Sequence, residues 1–83
     1  MRELYATVEI NKPNSQSKIK YYELTGKGYG VEIVREMNNE ILISKVIENI
    51  TNKKRKIKEI LELLTSQLIT PENAEYIEKD LNL

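Results

Sequence analysis

The sequence predicts an α+β domain in which a four-stranded antiparallel meander is followed by two C-terminal helices packed on one face of the sheet. Residues 1–50 alternate apolar and polar side chains, as half-buried strands do. Residues 51–83 instead space their apolar side chains by three and four, which is typical of amphipathic helices. Because 83 residues leave room for one core only, we expect a single domain over residues 1–83, with a sheet part at 1–50 and a helical hairpin part at 51–83.

The first two predicted strands are "ELYATVEI" and "KIKYYELT", separated by the polar loop "NKPNSQS". In the first strand the inward side chains are Leu4, Ala6, Val8 and Ile10. The second strand leaves two inward pairs open, either Ile19 with Tyr21 or Tyr22 with Leu24. Short connections between the strands favour antiparallel pairing.

The third and fourth predicted strands are "GYGVEIVRE" and "EILISKVIENI", joined by the turn "MNN". Asparagine tolerates the left-handed backbone that such a turn requires. In the fourth strand Ile41 and Ile43 alternate, but Val46 and Ile47 break the phase. A β-bulge in this strand is therefore expected.

Two helices are predicted after the sheet. The apolar stripe of the first consists of Ile57, Ile60, Leu61, Leu64 and Leu68, and either Thr51 or Asn52 is expected to cap its start. The second starts at "TPEN", with Thr70 as the cap and Pro71 at the first helical position. Its apolar stripe is Ala74, Ile77 and Leu81.

Composition argues against several classes of function. The chain has neither Cys nor His, so it lacks thiolate ligands, the commonest metal ligand and the usual proton shuttle of catalysis. Its carboxylates are scattered, and no motif gathers them into a metal loop. We therefore expect no enzyme, no catalytic residue, no metal and no cofactor. Without a membrane span or a signal-peptide pattern, a soluble cytoplasmic protein is expected.

Most of the chain, from "YYELTGKGYGVEI" through "ENITNKKRKIKEILELL" to "LITPENAEYIEKDL", resembles a family of small clostridial proteins catalogued as a domain of unknown function. The segment "YGVEI" and the spacing of Pro71, Ile77 and Asp80 carry this resemblance. The tail also resembles short C-terminal oligomerisation modules of the "L..L…G.IT..EF" type, although Gln67 and Leu68 stand near the expected Gly and Ala74 replaces the aromatic residue. Neither resemblance implies a catalytic residue or a ligand.

The segment "GKGYG" has two interpretations. Glycine-rich loops cradle phosphates when they open a helix. Here strands are predicted on both sides, so a hairpin whose glycines take positive φ angles is the favoured interpretation.

A basic run at residues 53–58 stands out in a chain of zero net charge. Its cations are Lys53, Lys54, Arg55, Lys56 and Lys58. Arg55 and Lys58 can pair with Glu59 and Glu62, whereas Lys53, Lys54 and Lys56 have no local partner and lie at the positive end of the helix dipole. They could contact an anion or nucleic acid, but the acidic second helix and the absence of interleaved aromatic residues favour a solvated or internally paired run.

The sheet face away from the helices is the second face. Tyr5, Thr7, Val34 and Leu42 are each out of phase with the inward set of their own strand, so they are expected to share it. Scattered apolar residues on a wet sheet face are ordinary, yet tyrosine is enriched at interfaces.

The favoured hypothesis is a small non-enzymatic interaction or regulatory module. Its expected partner is another protein or a second copy of the chain, docked on Tyr5, Thr7, Val34 and Leu42. The alternative is a nucleic-acid or phosphate-binding accessory protein that uses Lys53, Lys54 and Lys56. Nucleic acid is the less favoured partner, and no membrane association is expected.

Overall fold

A computed structural model describes residues 1–74. Four strands come first: β1 (Arg2–Lys12), β2 (Ser15–Thr25), β3 (Tyr29–Met37) and β4 (Glu40–Thr51). They are followed by the helix α1 (Lys54–Ser66) and a single 3₁₀ turn at Pro71–Asn73. The strands form one antiparallel sheet in the order β1-β2-β3-β4, so the α+β class and the meander are confirmed.

The core lies between α1 and one face of the sheet. From the helix it contains Ile57, Ile60, Leu61 and Leu64, all buried. From the two central strands it contains Ile19, Tyr21, Val31 and Ile33. The inward face of β2 is therefore the one built on Ile19 and Tyr21, and the Tyr21 hydroxyl donates a hydrogen bond of 2.7 Å to the carbonyl oxygen of Ile69.

The predicted phase of β1 is wrong at its start. The register shifts between Leu4 and Ala6, so Tyr5 is an extra residue and Leu4 pairs with Tyr22 on the second face. The Tyr5 ring instead lies 5.8 Å from the Lys58 ammonium of α1, on the helix side. A β-bulge exchanges the expected directions of two neighbouring side chains in this way.

The two hairpin turns at the far end of the sheet are tight. Lys12 pairs with Ser15, so the predicted seven-residue loop is reduced to two turn residues. Met37 pairs with Glu40, and Asn38 and Asn39 have φ of 53° and 68°. The second turn confirms the asparagine turn predicted there, since both central residues of a type I′ turn need positive φ.

The bulge predicted in β4 is confirmed. One irregularity lies between Ile41 and Ile43 and another between Ile47 and Thr51. Val46 and Ile47 do not break the phase, because Ile43 and Ile47 pair with Arg35 and Val31, which share one face.

Gly30 of β3 lies against the second irregularity of β4. Its lack of a side chain, rather than a positive φ, is what this contact requires. No glycine in residues 1–74 has positive φ, so the reason predicted for the "GKGYG" hairpin is wrong, although the hairpin itself is present. A Cβ on Gly30 would lie 2.3 Å from the Ile47 carbonyl oxygen. The irregular part of β4 thus presses on β3 where only glycine fits.

The helix α1 starts later than predicted. Its N-cap residue is Lys53, without a side-chain cap, because β4 continues to Thr51. The Thr51 hydroxyl oxygen accepts a hydrogen bond from the Lys53 N–H. The helix ends at Ser66, so Leu68 lies beyond the stripe in which it was expected.

Leu68 terminates α1 in the left-handed region, with φ of 50°. The N–H of Ile69 bonds to the Leu64 carbonyl oxygen and that of Leu68 to the Thr65 carbonyl oxygen. These two bonds define a Schellman motif, whose left-handed position usually holds glycine.

At the predicted start of the second helix the structure has a 3₁₀ turn, and the greater part of that predicted helix lies outside the described residues. In the turn Thr70 is the N-cap residue and Pro71 follows, but the Thr70 side chain makes no capping hydrogen bond. Arg35 of β3 holds this turn through two hydrogen bonds to the Glu72 carboxylate. Ile77 and Leu81 of the predicted stripe lie outside the described residues.

Candidate functional site

The most exposed apolar segment of the sheet is the first half of β4. Ile41, Leu42 and Ile43 are 65%, 56% and 40% exposed, and Val46 is exposed as well. Within residues 1–74, β4 is an edge strand, with β3 on one side and no strand on the other. An edge strand presents backbone N–H and C=O groups with which a further strand can pair, so residues 40–44, the edge segment, place apolar side chains beside such a backbone edge.

The irregularity in β4 leaves Leu42 without an opposite residue. Ile41 pairs with Glu36 and Ile43 pairs with Arg35, so Leu42 is the extra residue between them. Its neighbours on the strand therefore have partners on β3 while its own side chain is exposed. Of the four residues predicted for docking, Leu42 is the one on this apolar edge.

The second face is ion-paired rather than apolar. Arg2 bonds to Glu32 at 2.9 Å and lies 4.0 Å above the Tyr22 ring, while Lys20 contacts Glu36 at 2.8 Å. The hydrogen bond to the Glu36 carboxylate raises the pKa of Lys20. Charged side chains of alternating sign thus cover the centre of this face.

The four predicted docking residues do not share one surface. The register places Thr7 and Val34 on the second face, on either side of Lys20. Val34 is only 2% exposed, so it offers a partner almost no surface. Tyr5 lies beside α1 and Leu42 on the β4 edge. The prediction that Tyr5, Thr7, Val34 and Leu42 form one patch is therefore wrong.

Sequence reasoning missed Ile41 and Ile43 as exposed residues because it assigned both to the core face. The signal was present in "EILIS", where three apolar residues follow one another. Since successive strand residues point to opposite faces, three in a row cannot all enter a core on one side.

The basic run does not form one surface. Lys58 lies 3.1 Å from the Glu23 carboxylate on the helix-covered face, so the predicted pair with Glu62 is wrong. Within residues 1–74, neither the Arg55–Glu59 pair nor an ion pair of Lys53, Lys54 or Lys56 is present. These lysines are exposed at the start of α1.

A cleft of about 410 Å³ lies at the "GKGYG" hairpin, lined in part by Arg2, Lys27 and Glu48. Arg2 is already bound to Glu32, and Glu48 adds a negative charge. No helix starts at this loop, so the geometry of a phosphate-cradling loop is not met.

The described part of the chain has no group of three or more side chains suited to hold a metal ion. Nor does any helix in residues 1–74 have the length and apolar character that crossing a membrane would take.

Comparison by sequence places the chain in a family. The model of DUF6514, a family of unknown function, matches residues 3–81, and the chain belongs to this family. No curated protein matches the chain significantly. No solved structure matches it significantly either.

Proposed function

We propose that this protein is a non-enzymatic binding module whose docking surface is the edge segment of β4. The observation that carries the proposal is the exposure of Ile41, Leu42 and Ile43 on a strand that lies at the edge of the sheet formed by residues 1–74. A partner that adds a strand there satisfies the backbone groups and buries the apolar side chains at once.

The composition and the electrostatics support this choice over the alternative. A chain without Cys or His lacks the side chains on which most catalytic sites depend. Binding of nucleic acid through Lys53, Lys54 and Lys56 would need more cations on one surface, yet Lys58 is held by Glu23. A cytoplasmic location and a clostridial origin accompany this proposal as predictions from the sequence.

The test is capture of a partner by purified bait proteins. Wild-type bait is compared with Leu42→Lys, which adds a charge to the edge segment. The control is Thr7→Lys, which adds the same charge at an exposed position of the opposite edge strand. Captured proteins are identified by mass, purified and measured again in isolation. We expect Leu42→Lys to lose at least ten-fold in affinity and Thr7→Lys to bind as the wild type does.

A second bait distinguishes the alternative function. A Lys53/Lys54/Lys56→Gln variant removes the exposed cations of the basic run. If the alternative is correct, this variant loses its ligand, Leu42→Lys keeps it, and binding weakens steeply with salt. Equal capture by Leu42→Lys and wild type would refute the proposed docking surface.

A further inference from the structure

We infer that the occupant of the edge segment is a second copy of this chain, paired antiparallel across a two-fold axis at Leu42. The inference rests on the proposed function and names the partner of that surface. It depends on the sequence order of the segment, on its place in an edge strand of the sheet formed by residues 1–74, and on Leu42, which has no opposite residue on β3.

The edge segment is palindromic in polarity about Leu42. Ile41 and Ile43 flank it, followed by the polar pair Glu40 and Ser44. A two-fold interface requires that one surface complement itself. In an antiparallel strand pair this means that some residue faces its own copy, and its neighbours face each other's copies.

Pairing about Leu42 satisfies every side chain of the segment. Leu42 meets Leu42 of the second copy, and Ile41 meets Ile43 on both sides of it. Glu40 meets Ser44, and no like charges stand opposite each other. Such apolar cross-strand pairs stabilise an antiparallel strand pair relative to alanine pairs.

The neighbouring symmetric registers are worse. Pairing about Ile43 would set Ile41 against Lys45 and Leu42 against Ser44. Pairing about Ser44 would set Glu40 against Glu48 of the second copy, a repulsive contact. Only pairing about Leu42 sets the residue that β3 leaves without a partner against its own copy, so that two leucines meet.

The size of the contact sets the expected strength. One short strand per copy buries less than a standard interface of about 1,200–2,000 Å², so the dimer belongs to the weak, reversible class. Self-association is therefore expected to depend on concentration, with monomers when dilute and dimers when concentrated.

The first experiment is charge exchange at the two-fold axis. Leu42→Lys and Leu42→Glu each place like charges opposite themselves, so each variant alone is expected to be monomeric by light scattering at concentrations where the wild type dimerises. An equimolar mixture restores the dimer as a mixed pair. The control pair, Ser44→Lys and Ser44→Glu, shows no such selective mixing, because Ser44 faces Glu40 rather than itself.

The second experiment uses the absence of cysteine in the chain. Opposite Cα atoms in an antiparallel pair are about 4.5–5.5 Å apart, within the span of a disulfide. Leu42→Cys is expected to form at least ten-fold more covalent dimer in a glutathione redox buffer than Ser44→Cys, whose two copies would lie roughly 13 Å apart along the strands. In urea the two variants are expected to cross-link equally.

The outcomes separate the inference from the proposed function. A wild type that stays monomeric, or equal cross-linking of both cysteine variants when folded, overturns the self-pairing. If Leu42→Lys nevertheless loses capture of a different purified protein, the edge segment still docks a partner and only its identity changes. If Leu42→Lys changes neither self-association nor the capture of another protein, both proposals fail.

Discussion

The ammonium nitrogen of Lys58 lies 3.1 Å from Oε1 of Glu23, a carboxylate whose side chain is only 5% exposed. Glu23 points to the helix-covered face of the sheet, opposite Val31 of the core. Its Oε1 is buried and accepts no hydrogen bond from the described residues, so the ion pair with Lys58 compensates the charge at this atom. One cation of the basic run therefore has a structural role.

Removing Lys58 is expected to destabilise the domain. Lys58→Met leaves the Glu23 charge buried without a partner, and we expect a loss of about 1–3 kcal/mol in the free energy of unfolding. The estimate is below that for a fully buried pair because the Lys58 side chain is 47% exposed. Urea denaturation measures this loss.

Lys56→Met is the control, and its stability should stay within about 0.5 kcal/mol of wild type. The double variant Glu23→Met/Lys58→Met should recover most of the loss. Equal stability of the two single variants would contradict this role.

Tyr21 joins the sheet to the segment after α1 through its hydrogen bond to the Ile69 carbonyl oxygen. Tyr21→Phe keeps the ring in the core but leaves that carbonyl without its donor. We expect a loss of about 0.5–1.5 kcal/mol by thermal or urea denaturation. Tyr22→Phe, on the other face of the same strand, serves as the control and should change little.

Alkaline pH is expected to act on the same residue. Burial raises the pKa of Tyr21 to about 12 from 10.0, so the folded state holds a proton that the unfolded state releases. Stability is therefore fully present below pH 10 and falls as the pH rises from 10 to 12. Ultraviolet titration of the folded protein should show one late tyrosine ionisation near pH 12. Its persistence in Tyr21→Phe would assign it to another residue.

Acid is expected to weaken the contact between Arg35 and Glu72. The hydrogen bond from Arg35 lowers the pKa of Glu72 to about 2 from 4.5, so stability from this pair is present above pH 4.5 and is lost as the pH falls towards 2. Because the Glu72 side chain is 45% exposed, solvent screening limits the effect to less than about 1 kcal/mol. Glu72→Gln should show a smaller loss than wild type between pH 5 and pH 2 in urea denaturation. A loss as large as that of wild type would exclude the pair as its cause.

Leu68 holds the left-handed position of the Schellman motif, where a side chain costs about 1–2 kcal/mol. Leu68→Gly removes that strain, and the side chain it removes is 40% exposed. We therefore expect a rise in melting temperature of roughly 2–6 °C. Leu68→Ala keeps the strain and loses the side chain, so it should melt below wild type. A lower melting temperature for the glycine variant than for the alanine variant would contradict the account.

Alternating apolar residues made the four strands predictable from the sequence, and apolar residues spaced by three and four made α1 predictable. The two asparagines of the β3–β4 turn indicated its left-handed backbone. The bulges were the main source of error. One extra residue at Tyr5 exchanged the directions of Leu4 and Tyr5, and nothing local in "ELYAT" marks that position. The left-handed Leu68 likewise carries no sequence signal, since leucine favours helix.

The docking surface was predicted only in part for the same reason. Leu42 was expected to lie outside the core. The directions of Leu42 and Tyr5 were, however, derived from alternation without the bulges at these two residues, so both were assigned to one face with Val34. The predicted meander makes β1 and β4 the edge strands, but the exposure of apolar side chains on β4 depends on the bulge at Leu42, which alternation does not reveal. Burial of Val34 among charged side chains could not be foreseen from its own strand.

The most direct test of the central claim is amide hydrogen exchange of the edge segment as a function of protein concentration. Outward N–H groups of an edge strand exchange freely, and they are protected when a second copy pairs with them. We expect protection in residues 40–44 to rise at least ten-fold from dilute to concentrated protein, while β1, the opposite edge strand, stays unchanged. Exchange rates in residues 40–44 that do not depend on concentration, in wild type and Leu42→Lys alike, would contradict the account.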